Sequence, residues 1–319
     1  MQNESSIVVV LGTGGTIAGA ASEASDNVGY VAAQRGVAEL LRAVPSLAGT
    51  AIEAEQVAQL DSKDMTHAVW RALALRCAHH LARPEVAGIV VTHGTDTLEE
   101  TAWFLQRTLN PARPVVLAAA MRPATALQAD GPQNLLDAIA VARTAGARGV
   151  TALLAGRLHG AADVRKVHPY RLDAFASGDA GPIGVVEEGV LRRFRPWPDD
   201  AALLAPADLP ADAAAWPAVE IVTSHAGATG AIVHALRAAG THGIVVATTG
   251  NGSLHAALER ALGDAHGAGV AVWRSTRCLD GRIIDAAESD FSSAGALTPV
   301  KARIELMLRL MAPGSPAAV

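Results

Sequence analysis

The sequence has few aromatic residues and no excess of positive charge. Phe, Trp and Tyr make up 3% of the 319 residues, so a stacking surface for single-stranded nucleic acid is not expected. The 26 Lys and Arg residues are outnumbered by 31 Asp and Glu residues, and the formal net charge is −5. The basic surface that holds a phosphate backbone is therefore missing, which excludes nucleic acid as a partner.

Cysteine is also scarce. Cys77 and Cys278 lie far apart and form no C-x-x-C pair, which argues against a thiol redox site or a structural zinc site. Two free thiols in a reducing compartment are the simplest interpretation, while a single disulfide between them stays open. The 11 histidines include no H-E-x-x-H motif, so neither a metal ion nor another cofactor is expected.

Long apolar runs are absent as well. No run approaches the roughly 18 residues that a membrane-spanning helix needs. The residues before Ile7 lack the basic start of a signal peptide. We therefore expect a cytoplasmic protein with no membrane partner, or a periplasmic one if a leader has been removed.

The residues that are abundant indicate a folded α/β protein. Half of the chain is apolar and 18% is charged, a composition typical of a globular protein with a sizeable core. Short apolar runs recur, with segments of helical spacing between several of them. These runs are 7–11, 88–91, 114–119, 149–154, 219–222, 243–247 and 269–273. Buried strands that alternate with helices predict an α/β fold with mainly parallel sheets.

The composition changes at residues 192–218. This segment contains five prolines and many alanines without a clear period, so we interpret it as a linker. It separates a larger N-terminal α/β domain, residues 1–191, from a smaller C-terminal α/β domain, residues 219–319.

A glycine-rich turn follows the first predicted strand, at residues 11–19. It fails the dinucleotide-binding fingerprint because Ile17 stands where the third glycine belongs. It also fails the P-loop pattern, because alanines at positions 20 and 21 replace the residues that contact phosphate and metal. What remains is the hydroxyl of Thr16 at a strand end, and a tight turn with a capping threonine is the alternative interpretation.

A second polar turn joins the next predicted strand to a helix, at residues 92–100. Asp96 or Thr97 can cap this helix, with two glutamates in its first turn. Capping explains an aspartate, but it does not require the His, Gly and Thr that precede it. Ligands bind at the carboxyl ends of strands in open α/β sheets, so we expect Thr95 and Asp96 to face the same crevice as Thr16.

Two further residues are candidates only through their position. Lys166 follows the fourth predicted strand, and a solvated surface charge is its default interpretation. It becomes a functional candidate if it approaches Thr95 and Asp96. The turn at residues 61–65 can offer the hydroxyl of Ser62 to a ligand.

Taken together, these motifs resemble the bacterial-type L-asparaginases of the asparaginase/glutaminase family. The resemblance rests on Thr-Gly-Gly-Thr-Ile-Ala-Gly at 13–19 and Thr-His-Gly-Thr-Asp-Thr-Leu-Glu-Glu at 92–100. Shorter matches follow in family order, beginning at residues 61, 120, 129, 181, 249 and 297. The resemblance implies an amidohydrolase for L-asparagine with minor glutaminase activity. It also implies a homotetramer built as a dimer of dimers.

The resemblance implies roles for five residues in the chemical step. Thr16 is similar to the family's nucleophile, and Tyr30 is similar to the tyrosine of a mobile loop that closes over it. Thr95 and Lys166 match the second threonine and its lysine, with Asp96 beside them.

Substrate contacts are implied in the same way. Ser62 and Asp96 match residues that hold the α-carboxylate and the α-amine, and the backbone of Ala120 matches a contact to the side-chain amide. Asn251 and Glu288 match residues that the C-terminal domain supplies, in this family to the site of a neighbouring subunit. The full set of implied substrate residues is Asp61, Ser62, Thr95, Asp96, Ala120, Asn251 and Glu288.

Physical chemistry leaves the order of proton transfers open. A threonine hydroxyl is a poor nucleophile at neutral pH and needs a neighbouring base. Phenol and ammonium groups ordinarily titrate near pH ~10, so Tyr30 or Lys166 needs neighbours that favour its deprotonated form. We expect acyl transfer through an ester on Thr16. Direct displacement, in which Thr95 and Lys166 activate water, is the alternative.

Two other functions stay open. One is a glutaminase-leaning amidase, including the glutamine-hydrolysing subunit of a tRNA-dependent amidotransferase. The other is a non-catalytic amino-acid-binding protein of the same fold, which predicts the loss of a threonine or of the lysine. All these functions except the non-catalytic one require residues 16, 95, 96 and 166 to surround a single pocket.

Overall fold

The computed structural model describes residues 6–285 and 290–312. The chain forms two compact units, Met1–Ala207 and Asp208–Val319. The boundary between these units lies inside the segment 192–218 that the sequence predicts as a linker. Each unit has its own sheet and its own apolar core.

The N-terminal unit is built on an eight-stranded sheet and a separate pair of short strands. Its strands are β1 (Ile7–Gly14), β2 (Ile52–Leu60), β3 (Val86–Thr92), β4 (Val115–Ala118), β5 (Val150–Leu154), β6 (Arg157–Gly160), β7 (Arg165–Lys166), β8 (Phe175–Ala176), β9 (Gly184–Glu187) and β10 (Val190–Arg193). Its helices are α1 (Val37–Arg42), α2 (His67–Leu81), α3 (Leu98–Leu109) and α4 (Gly131–Ala142).

The large sheet has the order β10-β9-β6-β5-β4-β3-β1-β2. Its pairings from β2 to β5 are parallel, and those from β5 to β10 are antiparallel. Strands β7 and β8 pair with each other in antiparallel fashion outside this sheet. The parallel half of the sheet, from β2 to β5, therefore carries the alternating strands and helices. The antiparallel strands β6, β9 and β10 extend the sheet beyond β5.

The strand order reverses next to β1, which lies between β3 and β2. Val8, Val10 and Val90 of β1 and β3 belong to one core cluster with residues of α1 and α4, while α2 contacts β3. These strands are apolar along their length because helices cover them. Ligand sites in open α/β sheets form at such a reversal, at the carboxyl ends of the strands.

The C-terminal unit contains a four-stranded parallel sheet of order β11-β12-β13-β14. Its strands are β11 (Val219–Thr223), β12 (Gly243–Thr248), β13 (Ala271–Thr276) and β14 (Ser292–Ser293), and its helices are α5 (Ala231–Ala238), α6 (Ala256–Gly267) and α7 (Pro299–Met311). Val233, Ile244 and Leu262 are fully buried in its core. Burial of each such side chain contributes about 1.5–3 kcal/mol.

The predicted fold class is confirmed. Each apolar run that the sequence predicts as a strand overlaps a strand of the structure, namely β1, β3, β4, β5, β11, β12 or β13. Within the described residues, none of the helices is both long enough and apolar enough to span a membrane.

Candidate active site

Two turns meet at the carboxyl ends of β1 and β3, where the strand order reverses. Gly15 follows β1 with a φ angle of 82°, a conformation that favours glycine. A Cβ atom on Gly15 would lie 2.3 Å from the Cα atom of Gly94, in the turn after β3. The two backbones are therefore in direct contact, and the residues that follow them, Thr16 and Thr95, lie on adjacent turns. Both threonines are buried.

Tyr30 lies against the first turn. Its hydroxyl oxygen is 2.7 Å from Oγ1 of Thr16, and either group can donate this hydrogen bond. Ala20 and Val31 exchange two backbone hydrogen bonds of 2.9 Å, which hold Tyr30 next to the turn. A Cβ atom on Gly19 would lie 2.9 Å from the Tyr30 ring, so glycine at this position leaves the space that the ring occupies.

Lys166 reaches the second turn. Its Nζ donates to Oγ1 of Thr95 at 2.9 Å and to Oδ1 of Asp96 at 2.6 Å. The lysine side chain is 20% exposed and the Asp96 side chain 52% exposed. The backbone N–H of Lys166 donates to Oε1 of Glu99 at 3.2 Å, so the first turn of α3 also fixes the backbone that carries the lysine. A solvated surface charge, the default interpretation of Lys166, is therefore excluded.

Ser62 packs against the second turn from a third segment. Its hydroxyl oxygen accepts a hydrogen bond from the Asp96 N–H at 3.2 Å, and its carbonyl oxygen accepts one from the Thr97 hydroxyl at 2.8 Å. Thr97 occupies the N-cap position of α3 but makes no capping bond to that helix. Neither Asp96 nor Thr97 is thus an ordinary side-chain cap, because Asp96 pairs with Lys166 and Thr97 binds Ser62.

Asp61 and Ala120 lie beside these groups in different ways. The Asp61 carboxylate accepts a long hydrogen bond from the Lys63 N–H at 3.5 Å and pairs with the Lys63 ammonium at 3.4 Å. Both of these contacts are local to the turn that carries Asp61. Ala120 is buried two residues beyond β4, the strand next to β3. This position brings its backbone to the same sheet edge as Thr95.

The sequence predicts two site residues from the C-terminal domain, Asn251 and Glu288, and the structure describes the first of them. Asn251 lies beyond β12, and its side-chain amide exchanges two hydrogen bonds with the backbone of Ile284, at 3.0 and 2.7 Å. Both ends of this amide are thus engaged within the C-terminal unit. Glu288 lies outside the described residues.

A buried chain of hydrogen bonds supports the second turn, and sequence reasoning assigned it no role. His93 is fully buried, and its Nδ1 lies 2.7 Å from the Gly94 carbonyl oxygen. Because a carbonyl only accepts, Nδ1 carries the proton and Nε2 accepts from the Thr101 hydroxyl at 2.9 Å. The Thr101 oxygen accepts from Nε1 of Trp70 at 2.9 Å. In the neutral imidazole that burial favours, every donor in this chain points toward Gly94.

This arrangement predicts a stability that depends on pH. Burial lowers the pKa of His93 from its ordinary 6.5 to about 4. Between these two pH values the unfolded chain takes up a proton that the folded chain does not, so the unfolding free energy falls as the solution is acidified. The loss sums to roughly 3 kcal/mol across this window. Unfolding by denaturant at several pH values measures it.

The comparison that isolates this histidine is His93→Gln. The stability of the wild type relative to this variant should decline from pH 6.5 to 4. His79→Gln, at an exposed histidine of α2, should keep the wild-type dependence. A constant difference between wild type and His93→Gln at all pH values contradicts the assignment.

The site contains hydroxyl, phenol, ammonium and carboxylate groups. No group of three or more His, Cys, Asp and Glu side chains is arranged to hold a metal ion in residues 6–285 and 290–312. The geometry supplies a buried hydroxyl at Thr16 with a proton-carrying neighbour, Tyr30. It supplies a second hydroxyl at Thr95 with another such neighbour, Lys166. Paired hydroxyls of this kind suit acyl-transfer chemistry.

Comparison with known proteins covers nearly the whole chain. Residues 7–198 match the family described as Asparaginase, N-terminal, and residues 218–319 match the Glutaminase/Asparaginase C-terminal domain. The chain is 37% identical over 318 residues to L-asparaginase 2 of Bacillus subtilis, across 96% of this chain and 83% of that protein. It is 37% identical over 312 residues to a glutaminase-asparaginase of Pseudomonas fluorescens, across 95% of this chain and 86% of that protein.

A solved structure shares the fold. The crystal structure of a probable cytoplasmic L-asparaginase from Campylobacter jejuni aligns with a TM-score of 0.91 and 36% sequence identity. The alignment covers 96% of this chain and 95% of that chain.

Proposed function

The chain belongs to the asparaginase family, and from this membership we propose that it is an L-asparaginase whose nucleophile is Thr16. The reaction is hydrolysis of the side-chain amide of L-asparagine to L-aspartate and ammonia. Hydrolysis of L-glutamine is a second, minor activity, and the similarity to a glutaminase-asparaginase favours it. The proposal rests on two hydrogen-bonded pairs, Thr16 with Tyr30 and Thr95 with Lys166. The two threonines lie on turns whose backbones are in direct contact.

The first half of the reaction forms an ester on Thr16. Oγ1 of Thr16 attacks the amide carbon and passes its proton to the Tyr30 oxygen, which lies within hydrogen-bond reach at 2.7 Å. Tyr30 gives up its own phenol proton in exchange, and this proton is relayed to the amide nitrogen. The C–N bond then breaks, and the nitrogen leaves as ammonia after it receives a proton. In the second half, water attacks the ester carbon, the C–O bond to Thr16 breaks, and aspartate is released.

Thr95 and Lys166 serve the proton transfers and the water step. The Lys166 ammonium donates to both Thr95 and Asp96, which fixes the orientation of the Thr95 hydroxyl. Backbone N–H groups near Thr95 and Ala120 stabilise the negative charge that develops on the amide oxygen. One such donor typically contributes ~3 kcal/mol to the transition state.

Recognition of a free amino acid depends on two charges of the substrate. Asp96 keeps about half of its side chain exposed, and its carboxylate pairs with the substrate ammonium. Ser62 binds the α-carboxylate, since its hydroxyl accepts from the Asp96 N–H and keeps its own proton for donation. An asparagine inside a peptide lacks both charges and is a poor substrate.

Blocked asparagine derivatives test this recognition. N-acetyl-L-asparagine lacks the ammonium and L-asparagine α-amide lacks the carboxylate, so each loses a charged hydrogen-bond partner. Such a partner contributes about 1.5–3 kcal/mol, which corresponds to a roughly 10- to 100-fold lower kcat/KM for each derivative. Ammonia release from both, from L-asparagine and from L-glutamine measures the effect. Equal turnover of blocked and free asparagine would overturn the recognition scheme.

The assembly, the domains and the compartment complete the proposal. Residues 1–191 carry the catalytic threonines, and residues 219–319 supply Asn251 and Glu288 to the site of a neighbouring subunit. Four copies associate as a dimer of dimers. The protein works in the cytoplasm, where Cys77 and Cys278 remain the free thiols of the structure.

A further inference from the structure

The segment that carries Tyr30, residues 19–31, has little apolar burial to hold it in place. Residues 22–25 are exposed. Val28 is 77% exposed and Val31 is 60% exposed. Because burial contributes little here, the position of this Tyr30 segment depends on its hydrogen bonds.

Three hydrogen bonds join the Tyr30 segment to residues 121–130, which we term the docking segment. The Ala124 N–H donates to the Gly19 carbonyl at 2.9 Å, and the Leu127 N–H donates to the Ala24 carbonyl at 3.1 Å. The third bond runs from the Ala21 N–H to Oγ1 of Thr125 at 2.9 Å. This bond uses the side chain of Thr125, whereas the other two join backbone groups. A substitution at Thr125 can therefore remove it without changing the others.

The two ends of the docking segment are joined to each other by hydrogen bonds. The two carboxylate oxygens of Asp130 accept hydrogen bonds from the Met121 and Arg122 N–H groups, at 3.0 and 2.9 Å. The Arg122 guanidinium lies 4.2 Å from the centre of the Tyr170 ring and donates to the Tyr170 carbonyl at 2.8 Å. Thr125 is therefore presented from a loop that is anchored by its own contacts.

The bond to Thr125 lies close to Tyr30 in the hydrogen-bond network. Ala21 follows Ala20, which exchanges two backbone bonds with Val31, the neighbour of Tyr30. A shift at Ala21 therefore moves the strand-like pair that sets the Tyr30 ring beside Gly19 and its hydroxyl beside Thr16.

We propose that Thr125 is a positioning residue for the reaction: its hydroxyl holds the Tyr30 segment so that the Tyr30 phenol stays at Thr16. The proposal rests on the proposed function for its kinetic effect, but its structural effect is independent of turnover. Thr125 acts through Ala21 and Tyr30 and does not itself contact the reacting groups.

Thr125→Val tests the proposal, because valine keeps the shape and removes the acceptor. Hydrogen exchange should become roughly two- to tenfold faster at the amides of residues 20–31, the range expected for one lost hydrogen bond. The kcat for L-asparagine should fall by a similar factor with a smaller change in KM. Thr125→Ser keeps the acceptor and should restore both quantities.

Thr144→Val is the matched control. Thr144 donates its hydroxyl to the Ala140 carbonyl at the end of α4, so this variant makes the same chemical change away from the Tyr30 segment. It should leave the exchange of residues 20–31 and the kcat unchanged. If Thr125→Val fails to fold, the comparison of Thr125→Ala with Thr125→Ser carries the test.

Unchanged exchange at residues 20–31 in the variants without the hydroxyl would overturn the proposal, whatever their activity. Faster exchange with an unchanged kcat would also overturn it, since Tyr30 would then not depend on the contact. Failure of the proposed function is distinguishable, because the wild type and Thr125→Ser would then release no ammonia from L-asparagine.

Discussion

Thr16→Ala is expected to reduce the release of ammonia from L-asparagine by roughly 10⁴-fold or more, as in other enzymes that lose their nucleophile. In the proposed mechanism the hydroxyl oxygen of Thr16 forms the ester, and alanine offers no replacement. The fold should survive, because the described contact that the substitution removes is the hydrogen bond to Tyr30. The kcat of the purified variant beside that of the wild type measures the loss, and circular dichroism checks the fold.

Two companion measurements make this result specific. Thr16→Ser retains a hydroxyl and should keep measurable activity, whereas Thr16→Ala should not. Mass spectrometry of a Lys166 variant incubated with L-asparagine should detect an ester on Thr16, since loss of Lys166 slows the water step. Near-normal activity of Thr16→Ala would refute the assignment of the nucleophile, and consistent absence of the ester in single-turnover experiments would favour direct displacement.

Lys166→Met is expected to lower kcat by roughly 10²- to 10⁴-fold, the range for a group that assists proton transfer. Methionine fills a similar volume but donates no hydrogen bond to Thr95 and leaves Asp96 without its ion-pair partner. The Thr95 hydroxyl then loses the contact that orients it. Steady-state kinetics with L-asparagine provides the measurement.

The chain offers a matched lysine for this experiment. Lys63 also pairs with an aspartate, Asp61, but its side chain is 64% exposed, so Lys63→Met should change kcat little. Surface ion pairs contribute only about 0–1 kcal/mol to stability. Equal effects of the two substitutions would show that Lys166 acts through general electrostatics, which contradicts a specific role in proton transfer.

The central strands could be predicted from the sequence because they are buried on both faces. Such strands appear as continuous apolar runs, as β1 and β3 do. Strand β2 shows no such run, since it lies at the edge of the sheet and is largely half-exposed. Its Glu53 and Glu55 pair with Arg83 and Arg76. These partners lie in and just beyond α2, and local sequence does not reveal them.

The short antiparallel strands were missed for a different reason. Strands β6, β9 and β10 have four residues each and contain glycine or arginine. They are stabilised by pairing with one another and with β5. A pairing between distant segments leaves no periodic pattern within a window as short as four residues.

Part of the candidate site could be inferred from local sequence, and part could not. Thr16, Thr95 and Asp96 follow buried strands, so the rule for carboxyl ends of strands brings them to one edge. Lys166 lies 70 residues beyond Asp96, and only the resemblance related the two. The role of His93 depends on Thr101 and Trp70, and no spacing rule connects a tryptophan with a hydroxyl 31 positions away.

The contact between Gly15 and Gly94 has a consequence for redesign of the enzyme. The spacing between the turns that carry Thr16 and Thr95 is set by main chain against main chain, which leaves no side chain there to trim or enlarge. Attempts to favour a longer or shorter substrate will therefore find little tolerance at these turns. The adjustable parts of the site are the segments that approach from elsewhere, around Ser62, Ala120 and Tyr30.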